Sequence, residues 1–231
     1  MLLFRLKPPK PILRYPAPSP PLGTTRHFST TSTTKMRVPY APSTPQRPED
    51  APIYERIAAR RAPRPLIPLD LALLHNTAVA DGWNSFIGAI RTKTSLPPAI
   101  SELCIARVAV LNHAVHEWDS HGTLAKKAGV SVEGLETAFS TLVFEKGGVM
   151  KTEEDGGLNG EQWAVLAYTD QMTRGVEVEE FVVDAVKRFL SDKQVVELTA
   201  TVAAYNCVSR FLVALDVGEC NARPMKKPAD M

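Results

Sequence analysis

From residue 51 onward apolar side chains return every three or four positions, the spacing of helices that turn one face to a core. Ile53, Ile57 and Ala58 mark the first such helix, and Pro63-Arg64-Pro65 stops it. Positions 69–90 read as two short helices meeting around Asn76. Pro97-Pro98 suits the opening turn of the next helix, where the missing N–H would be unpaired anyway. Its run from Leu103 to Leu111 is apolar nearly all round and is expected to be buried on every side. His113 to Lys127 continues as a second helical stretch closed by Gly129, and Ser131 caps a short helix after it. The pairs Gly147-Gly148 and Gly156-Gly157 frame a mixed-charge stretch, 145–158, expected to be a mobile loop. Helices are predicted at about 160–173, 178–190 and 192–216, the last announced by the capping box Ser191-Asp192-Lys193-Gln194. No alternating strand pattern competes. The fold class is therefore all-α, one helical domain over 49–217 followed by a polar tail, 218–231, expected to fray.

Charge separates a leader from this body. Residues 1–48 carry eight Lys and Arg, no acid, and eleven of the nineteen prolines, a composition that cannot bury enough surface to fold alone. Within it Arg26-His27-Phe28-Ser29 resembles the cleavage site of a mitochondrial presequence. Import into the mitochondrial matrix with cleavage after Phe28 is the expectation, although Pro8, Pro9 and Pro11 would break an amphipathic presequence helix early. A cytoplasmic protein with a disordered tail, or one starting at Met36, is the alternative. The remainder holds 19 basic and 25 acidic residues, so the basic overall pI describes the leader. An acidic body argues against nucleic acid as a partner.

Cys104, Cys207 and Cys220 form no CxxC and no zinc-ligand spacing, which points to a reducing compartment rather than a disulfide framework. No stretch reaches the ~18–20 continuous apolar residues of a membrane span, so membrane insertion is not expected.

Candidate chemistry gathers in His113-Ala114-Val115-His116-Glu117-Trp118-Asp119-Ser120-His121. On a continuous helix His113, Glu117 and His121 share a face. His116-Glu117 begins like a HExxH zinc motif, but the second histidine comes one residue too late. A metal-dependent oxygenase or hydrolase using His113, Glu117 and His121 stays geometrically open, without an obvious distant ligand. The alternative is acid–base chemistry in which Glu117 orients His121. Glu102, the lone acid on the preceding apolar helix, needs a partner, for which His121, Arg107 and Arg210 are candidates. Solvated i, i+4 Glu/His pairs are also common, so spacing alone leaves this reading open.

The run Ser101-Glu102-Leu103-Cys104-Ile105-Ala106-Arg107-Val108-Ala109-Val110-Leu111-Asn112, then Glu117-Trp118, His121 and Ala128-Gly129-Val130, resembles the core motif of the AhpD-like and carboxymuconolactone decarboxylase family. Ala204-Tyr205-Asn206 with Ser209-Arg210-Phe211-Leu212 resembles the family's last helix. The resemblance spans about residues 52–217 and implies an AhpD-like helical bundle assembling as a trimer or hexamer. It also implies that Glu102 and His121 match the outer relay positions of the peroxide-reducing members. Ala114 and Glu117 stand where those members carry their two cysteines, so no thiolate nucleophile is present there. The decarboxylase branch needs neither thiol nor cofactor. The function implied is a cofactor-independent decarboxylase or related proton-transfer enzyme acting on a small unsaturated carboxylate or lactone. His121 is then the acid, Glu117 its orienter and Glu102 a relay, with Arg210, Asn206, His113 and Trp118 as substrate contacts. An inactive oligomeric binding protein of the same fold is the alternative.

Overall fold

The computed structural model describes residues 36–140, 144–148 and 155–231. Nine α-helices are seen among them: α1 (Ala51–Arg61), α2 (Pro68–Leu73), α3 (Thr77–Thr92), α4 (Pro98–Leu111), α5 (Val115–Lys127), α6 (Val132–Ser140), α7 (Gly160–Arg174), α8 (Glu180–Lys187) and α9 (Asp192–Leu215). The expected all-helical architecture is present, with one isolated bridge between Asp155 and Leu158 as the β-type pairing.

Local chemistry starts and stops these helices where the pattern placed them. Asn76 accepts from the Val79 amide to open α3, so the two helices do meet there, although α3 runs 16 residues. Ser191 and Gln194 exchange the predicted capping bonds at α9, and Asn159 and Gln162 do the same for α7. Helix α4 is the axis of the fold. It packs on α5, α6, α7 and α9, and Leu103, Cys104, Ala106, Val108 and Ala109 are all fully buried, as the all-round apolar run required.

Three expectations are corrected. The domain begins before residue 49: Met36 and Ala41 are buried, the Ala41 amide bonds the Leu71 carbonyl, and the Arg37 amide bonds that of Leu215. The expected cleavage site at Phe28 lies outside the described residues. The tail does not fray. Val217, Cys220 and Pro228 are buried, the Lys226 carbonyl takes the Trp118 indole N–H at 2.8 Å, and the Met231 carbonyl takes Lys126 Nζ at 2.5 Å. Polar composition misled here because the tail is held through its backbone, which composition does not report. The far end of the 145–158 stretch is docked too. Leu158 is fully buried, and Gly157, at φ +71°, lies so close to the α6 backbone that an added Cβ would sit 2.6 Å from the Gly134 nitrogen.

Among the described residues, α9 is the helix long and apolar enough by length and composition to cross a bilayer. Its Leu198, Val202, Tyr205, Val208 and Leu212 fill the core instead.

Candidate functional site

Four helices bring titratable groups together beside the α4 axis. Glu102 (α4) is buried and accepts from two sides: Arg91 of α3 at 2.7 Å and the Nδ1 of His121 (α5) at 2.7 Å. Tyr205 (α9) sets its ring edge-on to the His121 imidazole, centroids 4.9 Å apart and planes at 80°, and Arg91 also reaches its hydroxyl. Glu117 lies one turn before His121 on α5. It is only 2% exposed, and neither carboxyl oxygen has a hydrogen-bond partner among the described residues.

These surroundings decide the proton inventory. Burial pushes Glu117 well above the ordinary carboxylate range, and no partner offsets it, so it holds its proton at neutral pH. Burial pulls His121 down, against the raising effect of Glu102, and Arg91 and His116 pull the same way. Burial alone would raise Glu102, but hydrogen bonds and charge from His121 and Arg91 outweigh it and hold Glu102 low and ionised. A neutral His121 donating Nδ1–H to Glu102 keeps the lone pair of Nε2 free. The site therefore contains a poised base and a protonated acid one helical turn apart. Burial raises the Tyr205 hydroxyl, which stays protonated, and it raises the fully buried Cys104 thiol far from any thiolate form.

The sequence-derived site is partly reassembled by this geometry. Glu102 and His121 meet and Glu117 lies one turn away on α5, but the orienter of His121 is Glu102 rather than Glu117, and an imidazole pulled down by burial is suited to accept a proton where the sequence reading made it the acid. His113 does not share the face. It sits in the α4–α5 turn at φ +54° and is exposed, because α5 begins only at Val115. The metal set His113, Glu117 and His121 is thus not assembled, and no cluster of metal-ligating side chains occurs among the described residues.

Trp118 is core. It is fully buried, stacks on Phe139 with centroids 5.1 Å apart, and spends its N–H on the tail. Asn206 and Arg210 belong to a separate polar network. Asn206 bonds Thr173 and Asn112, both at 3.0 Å, and exposed Arg210 bonds back to the Asn206 carbonyl and side chain. A cation that the sequence reading did not single out, Arg91 in the last turn of α3, is brought into the site by its pairing with Glu102. The other candidate partner of Glu102, Arg107, is fully buried in a bidentate pair with Asp170.

Residues 77–148, which build the α3–α5 side of the site, match the family model described as "Carboxymuconolactone decarboxylase family". No curated protein matches the sequence. Solved structures share the fold. An uncharacterized peroxidase-related protein from Ralstonia eutropha JMP134, described as an alkylhydroperoxidase AhpD core, aligns at TM-score 0.61 and 14% identity over 79% of this chain and 90% of its own. A peroxidase-related protein from Silicibacter sp. TM1040 aligns at 0.60 and 14%, over 79% and 90%. A variant of the debrominase Bmp8 in complex with 2,3,4-tribromopyrrole aligns at 0.56 and 16%, over 76% and 89%.

Proposed function

From residues 77–148, which match the carboxymuconolactone decarboxylase family model, and from a helical fold shared with an AhpD core structure, we propose that this chain is a cofactor-independent proton-transfer enzyme. Its substrate is a small unsaturated carboxylate or lactone, and its reaction is decarboxylation or isomerisation. One observation carries this reading: His121, hydrogen-bonded through Nδ1 to Glu102, stands one helical turn from Glu117, a buried carboxyl group with no hydrogen-bond partner among the described residues.

The division of labour follows from the environments. His121, with Nδ1–H held by Glu102, accepts a proton at Nε2. Glu117 donates a proton to carbon as an enolate collapses, and the Tyr205 hydroxyl and Arg91 are positioned to steady the enolate oxygen. In the decarboxylation form the C–C bond to the carboxylate breaks, its electron pair passes into the conjugated carbonyl, carbon dioxide leaves, and the Glu117 proton forms the new C–H bond. Glu117 is then reprotonated from solvent through His121, whose Nε2 takes up the proton and passes it on.

Thiol-based peroxide reduction has no support in these side chains. The resemblance implies that Ala114 and Glu117 stand where peroxide-reducing members carry two cysteines, and Cys104 is fully buried, which raises its thiol well above the ordinary range. The test is His121→Ala assayed by mass spectrometry against a panel of unsaturated acids and lactones. Turnover should fall by about 10²–10⁴-fold while the helical circular dichroism spectrum is kept. Equal turnover in the variant and the parent would sink the assignment.

A further inference from the structure

The residues described above leave open what grips the substrate's own charge, since Arg210 and Asn206 are occupied elsewhere. Arg91 is committed to Glu102. A second guanidinium lies beside it. Arg60, on α1, lays its side chain across α3: its Cδ would be 3.4 Å from a Cβ at Gly88, and its Nε donates to Asn84 Oδ1. Asn84, Gly88 and Arg91 are spaced i, i+4, i+7, so they form one stripe along α3, and all three are half-exposed. Arg60 thus crosses α3 at Gly88, one turn from Arg91, with its head turned towards Asn84, and it lies within electrostatic range of Tyr205.

Arg60 has an amide for a partner and no carboxylate within ion-pair distance among the described residues. The nearby Asp70 gives both its oxygens to Arg61, at 2.8 and 2.7 Å. Arg61 pairs with Asp70 and Arg91 with Glu102, so of these three guanidiniums Arg60 is the one with no carboxylate partner among the described residues. A half-buried guanidinium without an anion is a costly arrangement that a bound anion relieves, and its planar fork suits a carboxylate better than a point charge does.

We propose that Arg60, seated on the Asn84–Gly88–Arg91 stripe, is the specificity-determining group that binds a carboxylate the substrate retains through the reaction and presents its unsaturated, reacting portion to Tyr205, His121 and Glu117. This inference rests on the proton-transfer reading for the identity of the reacting end, but binding alone tests it.

The experiment is calorimetric titration of the full chain with benzoate, an unreactive unsaturated monocarboxylate, and with benzamide, its neutral isostere. The wild type binds benzoate saturably and benzamide at least tenfold more weakly. Arg60→Met weakens benzoate by about 10- to 100-fold, the scale of one charged hydrogen-bonding partner lost, and leaves benzamide unchanged. Arg60→Lys retains benzoate binding to within about tenfold of the wild type, since the charge remains. Equal affinity for benzoate and benzamide, no saturable benzoate binding in the wild type, or unchanged benzoate binding in Arg60→Met would each overturn the proposal. The benzoate–benzamide comparison needs no substitution and can overturn the proposal even if Arg60→Met does not fold, in which case Arg60→Lys and Arg60→Gln carry the assignment to Arg60. Benzoate binding that depends on Arg60, in a protein with no turnover of any acid, would uphold Arg60 and overturn the proton-transfer reading. Turnover lost in His121→Ala but untouched in Arg60→Met would do the reverse.

Discussion

Asp170 and Glu117 are both carboxyl groups on core helices, the first with 0% and the second with 2% of its surface exposed, yet they are treated in opposite ways. Asp170 is saturated. Arg107 donates to it from Nε at 2.6 Å and from the terminal nitrogen at 2.7 Å, and the Phe144 amide adds a third bond at 2.7 Å. Arg107 in turn ties the Ala138 carbonyl, so this pair staples the end of α6 and the following segment onto α4 and α7. Glu117 has no such partner. A buried charge is tolerable only when its counter-charge and hydrogen bonds are complete, and a buried acid without them stays neutral. The first arrangement makes a cross-link, and the second makes a proton store. A buried ionisable residue is thus informative about function mainly through what it lacks.

Removing one partner of the saturated pair should have the largest effect. Asp170→Ala strands the Arg107 charge in the core and is expected to cost about 3–5 kcal/mol, read as a lowered urea midpoint. A loss below 1 kcal/mol would show that the pair is not the cross-link described. At the unsaturated acid the sign reverses. Glu117→Met replaces an unsatisfied polar group with an apolar chain of similar shape and should stabilise the fold by about 1–3 kcal/mol while abolishing turnover. Destabilisation there would mean that Glu117 has a partner in solution.

The pH dependence sharpens the same contrast. In the fold Glu117 keeps a proton that the unfolded chain releases above its ordinary range near pH ~4.3, so its contribution to stability declines as pH rises from there towards its raised folded value. Glu117→Gln cannot titrate. Its stability relative to the wild type should therefore climb between pH 5 and 8, and a difference that stays flat across that window would refute the raised carboxyl. The smallest effect is expected at Arg210, which touches neither acid. Arg210→Ala should alter stability by less than about 0.5 kcal/mol and leave turnover within twofold of the wild type, and a larger loss of turnover would bring Arg210 back into the site.

Much of the architecture could be read from side-chain order along the chain. The all-round apolar run of α4, the Ser191–Gln194 box and the Asn76 junction are local features, set by residues within one or two turns of each other. Within the site, Glu102 and His121 were legible because an isolated acid on an apolar helix demands a partner. Arg91, Arg60 and Tyr205 were not singled out, since each has an ordinary local explanation and only a contact between distant helices gives it a role. His113 was misplaced for a related reason. Helical spacing assumes an unbroken helix, and a single residue in the left-handed region ended that continuity.

By itself, then, the sequence settled the helical class, the caps and the absence of a paired thiol, because these depend on residue type and near-neighbour spacing. Which carboxyl is ionised, which is protonated and which guanidinium stands unmatched was decided only when α1, α3, α4, α5 and α9 packed together. Protonation follows from solvent exclusion and from partners far away along the chain, and neither quantity exists before the helices meet.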